Sequence, residues 1–301
     1  MSRKTRGNIF LFITAFIWGS AFVAQRTGME YIGPFTFSAV RFLIASLTLL
    51  PVIFVFSPKQ NSSVSKTPGE SKSLLKGGII CGVILFVGAI LQQIGLQYTT
   101  AGKTGFITAL YVVLVPIMGS LFFHKKVSKL IWFCAFLAAM GLYFLCIPAH
   151  GFSIAKGDTF VFICAFAFAI HILVIDYFSP KVDGIKMSAI QFLTAGIFST
   201  FFMFLLENPD IKSILASAIP ILYAAVLSAG IGFTLQIIAQ KDTDPTVASL
   251  ILCLESVFAV LAGAIILSET MSLREIIGCV IMFVAITLAQ MPTKETIKKA
   301  V

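Results

Sequence analysis

The side chains best suited to chemistry in this chain lie inside long apolar runs and not in polar motifs. Arg41 and Glu255 are ionisable groups within such runs, and Tyr111 carries a hydroxyl in a third. Polar and ionisable groups are costly in hydrocarbon, so those found there mark functional sites by default. We take seven residues as candidates for contact with a small polar or amphipathic molecule: Trp18, Ser20, Arg41, Gln92, Tyr111, Gln236 and Glu255.

These candidates also have structural interpretations, which the sequence leaves open. Arg41 could extend its side chain to the membrane surface. Glu255 and the two glutamines could bond to neighbouring helices. Trp18 could be a packed ring, although it lies near the middle of its run and not in the interfacial belt where Trp is common.

Metal, redox and nucleotide chemistry have little support in the sequence. His124, His150 and His171 show no metal-ligand spacing, and the 6 cysteines form no CxxC pair. The chain has no GxxxxGK[ST] segment for a nucleotide and no clustered set of catalytic groups. We therefore expect no enzyme activity, no cofactor and no metal, and we interpret His171 as a packing residue.

Composition excludes a soluble globular domain. Of 301 residues, 58% are hydrophobic and 12% are charged, and the mean hydropathy is +0.99. Soluble domains carry about 25% charged residues, and a folded chain of this size cannot hide so much apolar surface from water. A disordered chain would be poor in these residues. The composition indicates an integral membrane protein.

Ten apolar segments have the length of a membrane-spanning helix, about 17–25 residues. They are continuous runs and not the alternating stretches of a barrel, so we predict an all-α membrane protein with ten transmembrane helices. The predicted spans are 8–25, 35–56, 74–96, 104–123, 129–147, 158–178, 185–206, 214–240, 245–267 and 272–290. The longest polar piece, 57–73, is predicted to be a flexible loop.

The distribution of Lys and Arg predicts the orientation. With the N-terminus in the cytoplasm, sixteen Lys and Arg residues lie on the cytoplasmic side, five lie outside and Arg41 lies within a span. We predict that both termini are cytoplasmic, in a cell membrane (inner or plasma). This bias also explains the net charge of +9 without a nucleic-acid partner.

The two halves of the chain, 1–150 and 151–301, resemble each other. The segment 7–16 (GNIFLFITAF) aligns with 157–166 (GDTFVFICAF), an offset of 150 residues. From the third span the offset is 144, so that Gln92 matches Gln236. Each half contains five spans, and an odd number turns the second copy over in the membrane. Inverted repeats of this kind are typical of secondary transporters with a central binding site and alternating access.

Several segments resemble the EamA-type transporters of the drug/metabolite transporter superfamily. They are 17–20 (IWGS), 35–43 (FTFSAVRFL), 95–116 (GLQYTTAGKTGFITALYVVLVP), 248–263 (ASLILCLESVFAVLAG) and 268–269 (SE). The resemblance covers nearly the whole chain and makes each half one EamA repeat. It departs from the family at 124–126 and 268–270, where the Gly-Glu-Arg-type ends of spans four and nine are replaced.

The resemblance implies that spans one to four and six to nine surround a cavity, with five and ten outside. It also implies transport of a small metabolite, most commonly export of an amino acid or a related compound. The alternative is a channel-like or structural membrane protein without coupled transport. A lipid bilayer and a small-molecule substrate are the expected partners, and a homodimer is left open.

Arg41 and Glu255 lie at similar depths in the predicted arrangement. Counted from the span ends at 1.5 Å per residue, their depths differ by roughly 7–8 Å. We hypothesise that the two groups meet in a central polar region, directly or through water. Since burial favours the protonated form of a carboxyl group, Glu255 also raises the hypothesis of proton coupling. Pro116, within the fourth span, is predicted to bend its helix.

Overall fold

The computed structural model describes residues 3–56, 70–98, 101–124, 127–146, 156–266 and 272–289. All long elements in these residues are helices, and no strand occurs among them. The α-helices are α1 (Arg3–Gly28), α2 (Pro34–Phe56), α3 (Glu70–Tyr98), α4 (Ala101–Ala109), α5 (Tyr111–Phe123), α6 (Lys129–Cys146), α7 (Lys156–Phe178), α8 (Gly184–Leu206), α9 (Ile211–Ala216), α10 (Ala218–Leu222), α11 (Thr234–Gln240), α12 (Pro245–Leu252), α13 (Glu255–Ile266) and α14 (Leu273–Ala289). Between α10 and α11, Tyr223–Phe233 form a π-helix; we call Ala218–Gln240 as a whole the π-containing span.

Eight helical stretches in the described residues are long and apolar enough to cross a membrane. Two shorter apolar helices, Lys129–Phe144 and Ile276–Ala289, coincide with the fifth and tenth predicted spans. Most of the predicted loop 57–73 lies outside the described residues. Its last four residues, 70–73, form the first turn of α3, so the loop is shorter than predicted.

Apolar and polar side chains are arranged as in a membrane protein. Large apolar side chains point outward: Phe54 and Ile219 are each 83% exposed. Polar side chains point inward, and Arg41, Gln191 and Glu255 are all buried. This distribution is favourable in lipid and not in water. In water, exposing the apolar outer surface would cost free energy, and the inner polar groups would be more stable if they were hydrated.

Two of the predicted spans are interrupted at matching positions. One break separates α4 from α5 at Leu110, and the other separates α12 from α13 at 253–254. At the first, the Leu110 N–H donates to the Ile107 carbonyl; at the second, the Leu254 N–H donates to the Ile251 carbonyl, each over 3.2 Å. The two bonds are separated by the same 144 residues that relate the repeats.

The predicted fourth span, which contains Pro116, also has a break that the sequence does not predict. Pro116 lies inside α5, which continues unbroken through it from Tyr111. The interruption falls at Leu110, six residues earlier.

The helices of the first half interlock with those of the second. α2 packs against α8, and the rings of Phe42 and Phe192 stack with centroids 6.2 Å apart and planes inclined by 6°. α6 packs against α14, α3 against α7, and α1 against the π-containing span. Phe42 and Phe192 are themselves repeat-related, so the stack joins equivalent positions of the two halves.

Two contacts, one at each end of the bundle, each join two elements that a ten-span topology places on the same side of the membrane. The Glu207 carboxylate accepts hydrogen bonds from the backbone N–H groups of Phe35 and Thr36, at 2.9 and 2.7 Å. It therefore caps the N-terminus of α2 from the end of α8. At the opposite end of α1, Arg6 lies 4.0 Å from Asp242.

Candidate functional site

A central cavity lies between the two halves of the bundle, with about 50 Å³ of space for the centres of water-sized spheres. The lining residues come from α1, α2, α3, α4, α5, α7, α13 and the π-containing span: Trp18, Phe22, Gln25, Arg41, Ala89, Gln92, Thr108, Tyr111, Phe168, His171, Ile172, Ser228, Phe233, Gln236 and Glu255. α6 and α14 contribute none of these residues.

Six of the seven candidate residues line this cavity, and Ser20 does not. The Ser20 hydroxyl bonds to the backbone carbonyl of Phe16 and to the hydroxyl of Tyr223, 2.6 Å away. Ser20 is two residues beyond Trp18, and two residues on a helix turn the side chain by about 200°. The two therefore point to different faces of α1.

Arg41 is buried beside the cavity and does not reach the membrane surface, being only 5% exposed. Its Nη1 donates to Oε1 of Gln25 over 3.3 Å, and its Nε has no hydrogen-bond partner. The guanidinium carbon lies 4.6 Å from the ring centre of Phe42 and 5.4 Å from that of Phe37. These rings attract the cation through their faces.

Glu255 is buried at the start of α13, directly after the break that follows α12. Its Oε1 accepts a hydrogen bond from the Tyr111 hydroxyl over 3.0 Å. Tyr111 begins α5, directly after the break at Leu110. The two residues joined by this hydrogen bond therefore each follow one of the two helix breaks. Glu255 forms no ion pair with Arg41; the two groups share the cavity but do not meet directly.

The remaining polar groups of the cavity are amides, two hydroxyls and an imidazole. The Gln92 amide donates to the Thr108 hydroxyl over 3.2 Å, and the Gln236 Oε1 is buried without a partner. His171 Nε2 lies 3.1 Å from Gln191 Oε1. His171 is thus hydrogen-bonded, as expected of a packing residue, but it also lines the cavity.

Aromatic rings form the apolar part of the wall. Trp18 and Phe233 have ring centroids 4.4 Å apart, and Phe22 and Phe168 complete the surface. The Trp18 Nε1 is occupied, because it donates to the Ser228 carbonyl over 3.1 Å. The cavity therefore combines flat apolar surfaces with a few polar groups, the usual composition of a site for an amphipathic ligand.

Gln25, His171 and Thr108 line the cavity but were not among the seven candidates. Helical spacing is the sequence signal that could have identified Gln25 and His171. Gln25 lies seven residues after Trp18, and His171 lies three residues after Phe168, the repeat partner of Trp18. Residues at such spacings share one face of a helix. Thr108 has no comparable signal in the sequence.

Ten of the fifteen lining residues form five repeat-related pairs. The pairs are Trp18 with Phe168, Phe22 with Ile172, Ala89 with Phe233, Gln92 with Gln236, and Tyr111 with Glu255. Equivalent positions of the two halves thus face one space. The cavity lies where the halves meet, and the chemical differences within each pair make its two sides unequal.

No group of metal-ligating side chains stands out in the part of the chain that the structure describes. Cys81, Cys134, Cys164 and Cys253 are buried, and Cys279 is partly buried. The side chain of Cys146 lies outside the described residues.

Comparison with known proteins gives consistent results across the chain. The model of the EamA-like transporter family matches twice, at residues 5–147 and 155–291. An uncharacterized transporter of Archaeoglobus fulgidus is 29% identical over 290 residues, which span 96% of this chain and 87% of that protein. The transporter YoaV of Bacillus subtilis, also described as uncharacterized, is 22% identical over 88% of this chain and 90% of its own length.

Two further likenesses extend the comparison. A chloroplastic WAT1-related protein of Arabidopsis thaliana is 23% identical over 92% of this chain and 67% of its own. A protein of known crystal structure superposes with a TM-score of 0.77 at 16% identity, covering 95% of this chain and 96% of the other. The latter shows a shared fold.

Proposed function

The chain belongs to the EamA-like transporter family, within the drug/metabolite transporter superfamily, and from that premise we propose that it carries a small metabolite across the cell membrane by alternating access. Members of this family are transporters and not enzymes, and the curated relatives carry transporter names. The observation that carries the proposal is the central cavity, which is lined by five repeat-related pairs from the two halves.

The transport architecture in this proposal is a pair of inverted five-helix repeats, ten spans in all. Two observations support it: the family model matches each half once, and the helix breaks at Leu110 and at 253–254 lie at equivalent positions. Breaks in spanning helices are tolerated where the backbone lines a cavity or is buried in protein. Such breaks beside a central site are common in transporters with inverted repeats.

The proposed orientation places both termini in the cytoplasm. The excess of Lys and Arg on the predicted cytoplasmic side supports it. The two end contacts support the alternation of the spans, since Glu207 meets the start of α2 at one end and Arg6 meets Asp242 at the other, but they are the same in either orientation. An alternation of spans from a cytoplasmic N-terminus puts the first contact outside and the second inside.

Exchange between two conformations is the proposed mechanism. Each half would present its lining residues to the same solute from opposite sides of the seam, so exchanging the conformations of the halves would move the opening from one membrane face to the other. The substrate that the family resemblance favours is an amino acid or related metabolite, with export as the direction. Proton coupling through Glu255 is an additional hypothesis. Purified Glu255→Gln protein that still transports, with an unchanged pH dependence, would eliminate it.

The test is solute counterflow in proteoliposomes that contain the purified protein. Vesicles loaded with an unlabelled amino acid are diluted into the same labelled compound, with a panel of amino acids and related metabolites as solutes. A carrier produces a transient, saturable accumulation of label inside. A channel only equilibrates it, and a structural protein does neither.

Ala89→Phe is the variant that links this transport to the cavity. Ala89 is buried against the cavity, and its repeat partner is Phe233, so a second ring would fill the space from the opposite side. We expect counterflow to be abolished while the protein remains folded. Val87→Phe on the same helix is the control, because Val87 is 41% exposed on the outer surface. Equal loss in both variants, or normal counterflow by Ala89→Phe, would contradict the assignment of the cavity as the solute site.

A further inference from the structure

We infer that the guanidinium group of Arg41 binds an anionic group of the solute, a carboxylate or a similar oxyanion, attached to an apolar body. The inference rests on the proposed function in one respect: it takes the central cavity as the solute site. It goes further by assigning one residue to one part of the solute.

The first argument is that Arg41 is a buried cation without a counter-ion. Its side chain is 95% shielded, and the ion pair found in the described residues is formed by Arg6 and Asp242, elsewhere in the bundle. A buried charge normally requires a partner of opposite sign or several hydrogen bonds. Arg41 has one hydrogen bond, from Nη1 to Gln25, although a guanidinium carries five N–H donors.

The second argument is that the neighbours of Arg41 leave its N–H edge free. The rings of Phe37 and Phe42 interact with the cation but cannot accept hydrogen bonds along its edge as a carboxylate does. Nε is buried and unpartnered. Adjacent N–H groups of a guanidinium match the two oxygens of a carboxylate, which makes this pairing strong and directional.

The third argument is that the other ionisable groups of the cavity are bonded to neighbouring side chains, whereas Arg41 is the guanidinium cation among the lining residues. Glu255 accepts from Tyr111, and His171 bonds to Gln191. Gln191 is the repeat partner of Arg41, so the equivalent position in the second half carries a neutral amide. The cation belongs to one half only, and the solute's anionic end therefore has one place to bind.

The apolar body follows from the rest of the wall. Trp18, Phe22, Phe168 and Phe233 supply ring surfaces next to the polar groups. A fully hydrophilic dianion would leave these surfaces in contact with charge, whereas a monocarboxylate with an aliphatic or aromatic body would cover them. The predicted class is therefore the organic monocarboxylates, with apolar amino acids included.

Binding of matched carboxylate and amide probes tests the inference without requiring transport. The full-length protein in detergent is heated with each member of a panel: 4-methylpentanoate, 3-phenylpropanoate, L-leucine and L-phenylalanine, each paired with its amide. A ligand of the folded state raises the unfolding midpoint by mass action. We expect at least one carboxylate to raise it and the corresponding amide not to. An amide as effective as its acid, or no effect of any carboxylate, would overturn the inference.

Substitutions then connect the preference to Arg41. Arg41→Gln, which installs the residue of the repeat partner, is expected to weaken carboxylate binding at least about 30-fold, as loss of one partner of a buried charge pair does. Arg41→Lys keeps the positive charge but loses the adjacent N–H groups of the guanidinium. It should therefore retain the preference for carboxylate over amide, with reduced affinity. It replaces Arg41→Gln in the test if that variant folds poorly. Arg274→Gln is the control, since Arg274 lies against Tyr143 and Phe144, away from the cavity. An unchanged carboxylate preference in the Arg41 variants would refute the assignment.

These measurements can reject the carrier proposal and the Arg41 anion site independently. Carboxylate binding that depends on Arg41, without counterflow, would preserve the anion site and reject the carrier. Counterflow of neutral or cationic solutes that Arg41→Gln leaves unchanged would preserve the carrier and reject the anion site.

Discussion

Two seams of the bundle occupy equivalent places in the repeats yet are held together differently. In one, Trp18 of α1 packs over Gly232 of the π-containing span; in the other, Phe168 of α7 packs over Gly88 of α3. The two contacts are repeat images of each other. Only the first ring carries a donor, which bonds to the Ser228 carbonyl.

The first seam contains further side-chain hydrogen bonds between its two helices. The Thr14 hydroxyl donates to the Gly232 carbonyl over 3.2 Å, and the Ser217 hydroxyl donates to the Gly28 carbonyl over 3.0 Å. The π-helix lies along this seam. π-Helical turns within α-helices occur often at functional sites.

The second seam is packed through small residues. Gly77, Gly88 and Gly95 of α3 face Phe178, Phe168 and Val161 of α7. Hydrogen bonds to particular carbonyls define one register between two helices, whereas close glycine packing permits small displacements. We therefore expect the α1 seam to be the more tightly restrained contact and the α3–α7 seam to shift more readily during transport.

Gly95→Val should produce the larger effect, because it crowds the seam that we expect to move. A Cβ at this position would meet the Val161 side chain and the Gly157 carbonyl. Overpacking of a close contact costs about 1–3 kcal/mol. We expect a lower unfolding midpoint and loss of counterflow even in the fraction that folds. Gly119→Ala is the control, since its Cβ would make an ordinary contact 3.5 Å from Leu173; similar losses in both variants would remove the distinction.

Thr14→Val should produce the smaller effect, because it removes one interhelical hydrogen bond of the α1 seam and keeps the shape of the side chain. Interhelical hydrogen bonds in membrane proteins contribute on average about 0.6 kcal/mol. We expect a small drop in the unfolding midpoint and a change in transport rate, measured by counterflow. In the control Thr200→Val, the lost hydroxyl bonds only to Gly196 of its own helix. If Thr14→Val behaves like the control, the hydrogen bonds do not distinguish the seams.

Much of the site was predictable because polar groups in apolar runs are restricted to few environments. Arg41, Gln92, Tyr111, Gln236 and Glu255 all line the cavity, as a cost in hydrocarbon would dictate. Whether Arg41 and Glu255 contact each other directly was not predictable, because depth in the membrane does not determine which partner a side chain selects; a meeting through water stays a hypothesis. Glu255 bonds instead to its own repeat partner, Tyr111.

The helix breaks show where local signals are insufficient. Neither Leu110 nor the pair Cys253-Leu254 is a turn-forming residue, and the bend predicted at Pro116 is a separate feature six residues after Leu110. The breaks are therefore imposed by packing around the cavity and not by intrinsic propensity. If one break were known, the repeat offset of 144 residues would give the position of the other. The sequence alone gives the position of neither.

The central claim is that one cavity between inverted halves opens to the two membrane faces in turn. Gln92 and Gln236, its repeat-related amides, are the positions to probe, as single cysteines in a chain whose 6 native cysteines are replaced. Membrane-impermeant thiol reagents are applied from either side of oriented proteoliposomes, with and without a transported solute. The account predicts that labelling is reciprocal: a solute gradient that increases modification from one face decreases it from the other, at both positions. Modification that rises from both faces together, or that always comes from a single face, would contradict it.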